Sequence, residues 1–125
     1  MFVMVPNRKV WWPVIWQSPV DNGKVVEAKV SMQFVLKGTD ELPDLIARAN
    51  AIDDAEDSRP ASARKAALMA ELISDWRDIG DEAKKPIPYS EDALAEFFGL
   101  PATFMATINA YGACLAGEPV VREKN

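Results

Sequence analysis

The 125 residues, 49% hydrophobic and 26% charged, have the length and balance of one globular domain. A net charge of −5 argues against nucleic-acid binding, which needs clustered cations to neutralise phosphates. The chain has no histidine and one cysteine, Cys114, so it loses the commonest general base and any intrachain disulfide, and a zinc site has almost nothing to build on.

The charge is unevenly spread: residues 1–37 carry +3 and the remainder carries −8. An acidic body of this kind suits a basic protein partner better than a polyanion. The opening Met1-Phe2-Val3-Met4-Val5-Pro6 is apolar but short, and Arg8 and Lys9 follow it, which is the wrong order for a secretory signal. No apolar run approaches the ~18 residues of a membrane span. The expectation is a soluble protein of a reducing cytoplasm, with no membrane and no nucleic-acid partner.

In chain order, Val10-Trp11-Trp12-Pro13-Val14-Ile15-Trp16 is β-branched and aromatic and predicts a strand. Pro13 cannot donate to a ladder, so the strand should lie at an edge or carry a bulge. Pro19 and Asp21-Asn22-Gly23 supply turn chemistry. From Glu27 to Leu36 the alternation is clean, with Ala28, Val30, Met32, Phe34 and Leu36 inward. The two segments predict an antiparallel hairpin that must pack on helices or on another chain, because a lone hairpin is marginal.

Gly38 breaks the second strand. Thr39 or Asp40 is placed to cap a helix with Pro43 in its first turn and Leu42, Leu45, Ile46 and Ala49 on its apolar face. Residues 53–58 are acidic and read as a loop. The longest helix is expected from Ala61 to Ile79, with Leu68, Met69, Leu72, Ile73, Trp76 and Ile79 at three/four spacing and Gly80 just past its end. After a connector with Pro86 and Pro88, Ser90 should cap a helix that buries Leu94, Phe97 and Phe98. Leu100-Pro101 should open the last helix, turning Phe104, Met105, Ile108, Tyr111 and Leu115 inward until Gly117 and Pro119 end it. Residues 118–125 read as a mobile tail.

Candidate chemistry is sparse. Asp53, Asp54, Glu56 and Asp57 are hard oxygen ligands, but they lack the spacing of a calcium loop, and a solvated acidic loop is the stronger reading. Asp75, Asp78, Asp81 and Glu82 read as carboxylates facing water. Ser74 and Ser90 have no histidine to activate them, and no phosphate loop or nucleophile elbow is present. The Trp group is more informative. Trp11 and Trp12, adjacent on a strand, must point to opposite faces, so a hairpin covered on one side leaves one of them to a partner or to another copy. A packed core beneath the hairpin is the competing reading.

From Trp76 to Tyr111 the chain resembles the tail assembly chaperones of tailed bacteriophages. The resemblance rests on an acidic helix ending in Trp76-Arg77-Asp78-Ile79, then Asp81-Glu82, then Pro88-Tyr89-Ser90-Glu91 with the step to Leu94. An apolar helix with Ala110-Tyr111, a tail closing on Lys124-Asn125 and an early strand pair interrupted by proline complete it. It implies a non-virion protein that binds the tape measure protein, keeps it soluble and helps tail-tube protein polymerise around it. Chaperones of this family often come in two forms, the longer made by a frameshift near the end of the shorter, and Glu123-Lys124-Asn125 is compatible with a slippery heptamer in the gene.

These observations predict one α+β domain over residues 1–125, mainly helical. Its parts are an N-terminal antiparallel hairpin region (1–37), a helical region of about four α-helices (39–117) and the tail. The expected function is that of a phage or prophage tail assembly chaperone, with no catalysis, cofactor or metal, and with a homo-oligomer possible. Apolar anchors for a partner are Trp11, Trp12 and Trp16, then Phe97, Phe98 and Phe104 if the last helices leave a groove. The alternatives are a head–tail or minor tail protein retained in the virion, and a metal protein or enzyme using the acidic segment around Asp53.

Overall fold

The computed structural model describes residues 1–53 and 58–120. Strand β1 (Lys9–Val20) turns through Asp21–Gly23 into β2 (Lys24–Val35). The chain continues through α1 (Leu42–Asn50), α2 (Ala61–Met69), β3 (Ile73–Arg77), α3 (Glu91–Phe98) and α4 (Thr103–Ala116). The strands form one antiparallel sheet in the order β1-β2-β3.

The expected hairpin is present, and both of its strands run longer than the alternation suggested. Twelve consecutive pairs, from Lys9↔Val35 to Val20↔Lys24, close it without a slip. Asn22 and Gly23 take φ of 66° and 70°, the left-handed geometry that Asn and Gly tolerate best. Val14, Val30, Met32 and Phe34 turn to the core, with Val10, Trp12 and Trp16 packed against it. Trp11, Pro13, Ile15, Ser31 and Gln33 share the opposite face.

The long helix expected over 61–79 does not form. It stops at Met69, and after a turn the chain re-enters the sheet as β3. Of its expected apolar stripe Leu68, Met69, Leu72, Ile73 and Trp76 lie in the core, while Ile79 is half-buried. The reason for the change is tertiary. The far edge of β2 needs a backbone partner, and Ser31, Met32 and Gln33 find it in Arg77, Trp76 and Asp75. Ser74 is the extra residue of a bulge, and its hydroxyl donates to the Gln33 carbonyl (3.3 Å) and to Gln33 Oε1 (2.8 Å). With three strands and four helices of 8 to 14 residues among the described residues, the architecture is α+β, and its balance is not the mainly helical one expected. Gly80, expected just past a helix end, instead bridges to Pro86, and a Cβ on it would meet the Lys85 carbonyl at 3.1 Å.

Ser90 caps α3 as expected, accepting from the Ala93 amide at 3.0 Å. Neither Thr39 nor Asp40 caps α1: Glu41 holds that position without a side-chain bond, while Pro43 does sit in the first turn. On α4 the expected inward face is partly wrong. Met105 and Leu115 are exposed, while Thr103, Ala106, Thr107, Ala110, Tyr111 and Cys114 are buried. These are mostly small side chains, which let α4 lie close on β1. The two threonines satisfy their hydroxyls locally. Thr103 donates to the Phe97 carbonyl (2.6 Å) and Thr107 to that of Thr103 (2.8 Å).

The helices cover one face of the sheet, and both edges of the sheet are blunted. Pro13 and Pro19 lie six residues apart in a ladder without slips, so both fall on the positions of β1 whose amide faces away from β2. On the other edge, the Trp76 amide donates to Asp75 Oδ1 at 2.8 Å, so a side chain occupies what a new strand would need.

Candidate functional site

Three helical segments converge on an apolar groove of about 290 Å³. One wall is α1, through Leu42, Leu45, Ile46 and Ala49. The floor is the end of α2 and the turn after it, Leu68, Met69 and Leu72. The other wall is α4, through Ile108, Tyr111, Gly112 and Leu115. Asn50 is the one side chain of amide type among the lining residues. Ile46 and Leu115, expected to face the core, stand exposed on the two rims.

The groove wall is open at Gly112. A Cβ built at this position meets no atom within 4 Å. Glycine inside a helix costs about 0.5–1 kcal/mol relative to alanine, and here no close packing requires it. Its effect is a gap in the α4 wall where a foreign side chain can enter.

Tyr111 anchors that wall to the sheet. Its hydroxyl donates to the Val35 carbonyl at 2.9 Å and accepts from the Lys37 amide at 3.1 Å, and its ring meets Phe34 edge-on at 5.2 Å. Burial pushes its phenol pKa up. Arg48 clamps α1 beside the groove, with a fork of bonds to Glu71 (2.6 and 3.0 Å) and one to Asp44 (3.0 Å). The bond from Arg48 holds the Glu71 carboxyl below its usual range, and the same bond raises the guanidinium pKa further. Both side chains are close to half exposed, so the clamp orients α1 more than it stabilises it.

The six aromatic residues expected to anchor a partner do not line this groove. Phe97 and Phe98 are buried in the core, and Phe104 is half-buried against Phe98, with Lys65 Nζ 4.9 Å from its ring centre. Trp12 and Trp16 are half-buried on the core side, where Trp16 meets Phe97 edge-on at 5.6 Å. Trp11 is half-buried on the outer face. The Arg77 guanidinium lies 3.6 Å from its ring centre, so a cation from β3 covers the ring that the helices leave bare.

The later carboxylates Asp75, Asp78, Asp81 and Glu82 are all exposed, as expected, and two of them also bind backbone. Asp75 holds the Trp76 amide, and Asp81 Oδ1 accepts from Ala83 (2.9 Å) and Lys85 (3.0 Å) to close the connector. Asp54, Glu56 and Asp57 lie outside the described residues, as do the expected Glu123-Lys124-Asn125 features of the tail. Cys114 is buried, and burial pushes its thiol pKa up, away from nucleophilic chemistry. Tyr89 donates to the Ile73 carbonyl at 2.8 Å, and burial pushes its phenol up to about 12. Among the described residues no helix is long and apolar enough to cross a membrane.

The groove was hidden in the sequence because its residues belong to three separate apolar stripes, each of which reads as core. The available signal was Gly112, a glycine in the middle of an otherwise good helix. Compared with protein families, with curated proteins and with solved structures, the chain matches none of them.

Proposed function

We propose that this protein works by binding, as a tail assembly chaperone of a tailed bacteriophage or prophage, acting in the bacterial host's cytoplasm without catalysis or cofactor. The observation that carries the reading is the open apolar groove between α1, α2 and α4, with Gly112 as its gap and Ile46 and Leu115 on its rims. A groove of this chemistry suits the apolar face of an amphipathic helix, read as side chains at i, i+3, i+4 and i+7. The resemblance at Trp76–Tyr111, whose first element is strand β3 and not the expected acidic helix, supplies the client: the long helical tape measure protein, held soluble until tail-tube protein assembles around it. The net charge of −5 supports the same role, since it keeps a protein with exposed apolar surface from self-aggregating.

Co-expression with the tape measure protein of the same phage tests this. The wild-type chain should keep the client soluble and co-purify with it. Ile46→Asp and Leu115→Asp, both at exposed positions, should lose the client while keeping the wild-type circular dichroism spectrum. Mass spectrometry of purified particles should find the chaperone absent. A client equally soluble with and without this chain, or equally retained by the two rim variants, would overturn the proposal.

A further inference from the structure

The segment before β1 is the least explained part of the surface. Met1, Phe2, Val3, Met4 and Val5 are all exposed, Phe2 at 82% and Met4 at 86%, so five consecutive apolar side chains stand in water. Scattered exposed apolar residues are ordinary, but a contiguous run of this kind marks a contact. Its backbone joins β1 through Pro6 and Asn7, where Asn7 has φ 52°, a left-handed turn.

The root of the arm is connected to the groove wall through the end of β2. The Leu36 amide donates to the Arg8 carbonyl at 2.8 Å, and the flanking residues Val35 and Lys37 are the ones held by Tyr111 in the groove wall. An extended arm of five residues reaches about 17 Å. Two copies facing groove to groove can exchange arms reciprocally about one two-fold axis.

Charge favours the same pairing. The arm's root is Arg8-Lys9. The flank of the groove holds Glu41, Asp44 and Glu71, each paired with Lys37 or Arg48, and is left with one surplus negative charge. Strand addition is the competing way to use an apolar arm, and both sheet edges resist it, one through Pro13 and Pro19 and the other through Asp75 on the Trp76 amide.

We propose that residues 1–5 of one copy dock in the α1/α2/α4 groove of a second copy, reciprocally, with Phe2 as the principal anchor. The pairing stands independently of the tape-measure reading, and if both hold, the client must displace the arm.

Light scattering coupled to size-exclusion chromatography, from low micromolar to near-millimolar protein and with no client present, tests the pairing. Wild type should be a dimer that dissociates on dilution. The double variant Phe2→Asp/Met4→Asp, with its groove intact, should be monomeric. Gly112→Trp, with its arm intact and its groove plugged, should be monomeric too. An equimolar mixture of the two should recover a heterodimer through the one remaining arm and groove. Circular dichroism should be unchanged for the arm variant, whose substituted side chains touch no core. A wild type monomeric throughout overturns the proposal, including one whose arm is protected from protease by docking on its own body. So does a dimer that survives both variants, or a mixture that stays monomeric. Because no client is present, none of these outcomes bears on client binding.

Discussion

Tyr111 on α4 donates its hydroxyl hydrogen to the carbonyl of Val35 at the end of β2, 2.9 Å away and 76 residues earlier in the chain. The same oxygen accepts from the Lys37 amide, so one side chain ties the last helix to the point where the sheet gives way to α1. The tie sets the spacing of the groove walls, because Tyr111 lines the groove as well.

Tyr111→Phe should therefore cost about 1–3 kcal/mol, the penalty for leaving part-buried backbone groups without their partner. Urea denaturation measures it. A loss below a few tenths would mean that water replaces the hydroxyl and that the tie does not hold α4.

Gly112 offers a test with the opposite sign. Gly112→Ala adds a methyl group where no atom lies within 4 Å and should stabilise the protein by about 0.5–1 kcal/mol. Client binding should weaken as the gap fills, and more so for Gly112→Trp. Stability and binding would then move in opposite directions at one position, which a purely structural glycine does not produce.

Pro13→Val combined with Pro19→Val should restore two amide donors to the free edge of β1. Light scattering should report higher-order association that the wild type lacks. An unchanged profile would show that the prolines do not guard that edge.

Alkaline pH should unfold the protein in a particular window. Tyr89 has a folded-state pKa of about 12, above the ordinary phenol value of 10.0, because burial disfavours the phenolate. The folded state thus binds its proton more tightly than the unfolded state. Its contribution is fully present below pH 10 and is lost as pH rises toward 12. Tyr111 shifts in the same direction. Stability measured across this window should fall less steeply in Tyr89→Phe than in the wild type, although the variant starts lower for want of the bond to Ile73.

Cys114 should react slowly with a thiol reagent at neutral pH and rapidly in denaturant, since burial both hides the sulfur and raises its pKa. Comparable rates in the two conditions would show that α4 opens readily from β1.

Much of this architecture is legible in local pattern. Alternation over 27–36, turn chemistry at Asp21-Asn22-Gly23 and a proline at 13 suffice for an edge hairpin, because strand faces repeat every two residues whatever else the chain does. Ser90 marks a helix start for a similarly local reason: its oxygen needs only the amide three residues on.

What local pattern could not decide is Ile73–Arg77. Its apolar residues fit helical spacing as well as they fit a buried strand, and the choice fell to the vacant edge of β2, a partner 41 residues away. The same limit applies to the groove. Composition and periodicity identify which side chains avoid water, and they did so correctly for Leu68, Met69, Leu72 and Tyr111. Whether those side chains meet each other or leave a gap between them depends on how α1, α2 and α4 are spaced. That spacing is set by Tyr111 on Val35, by Arg48 on Glu71 and by the small residues of α4 against β1, all contacts between residues distant in the chain.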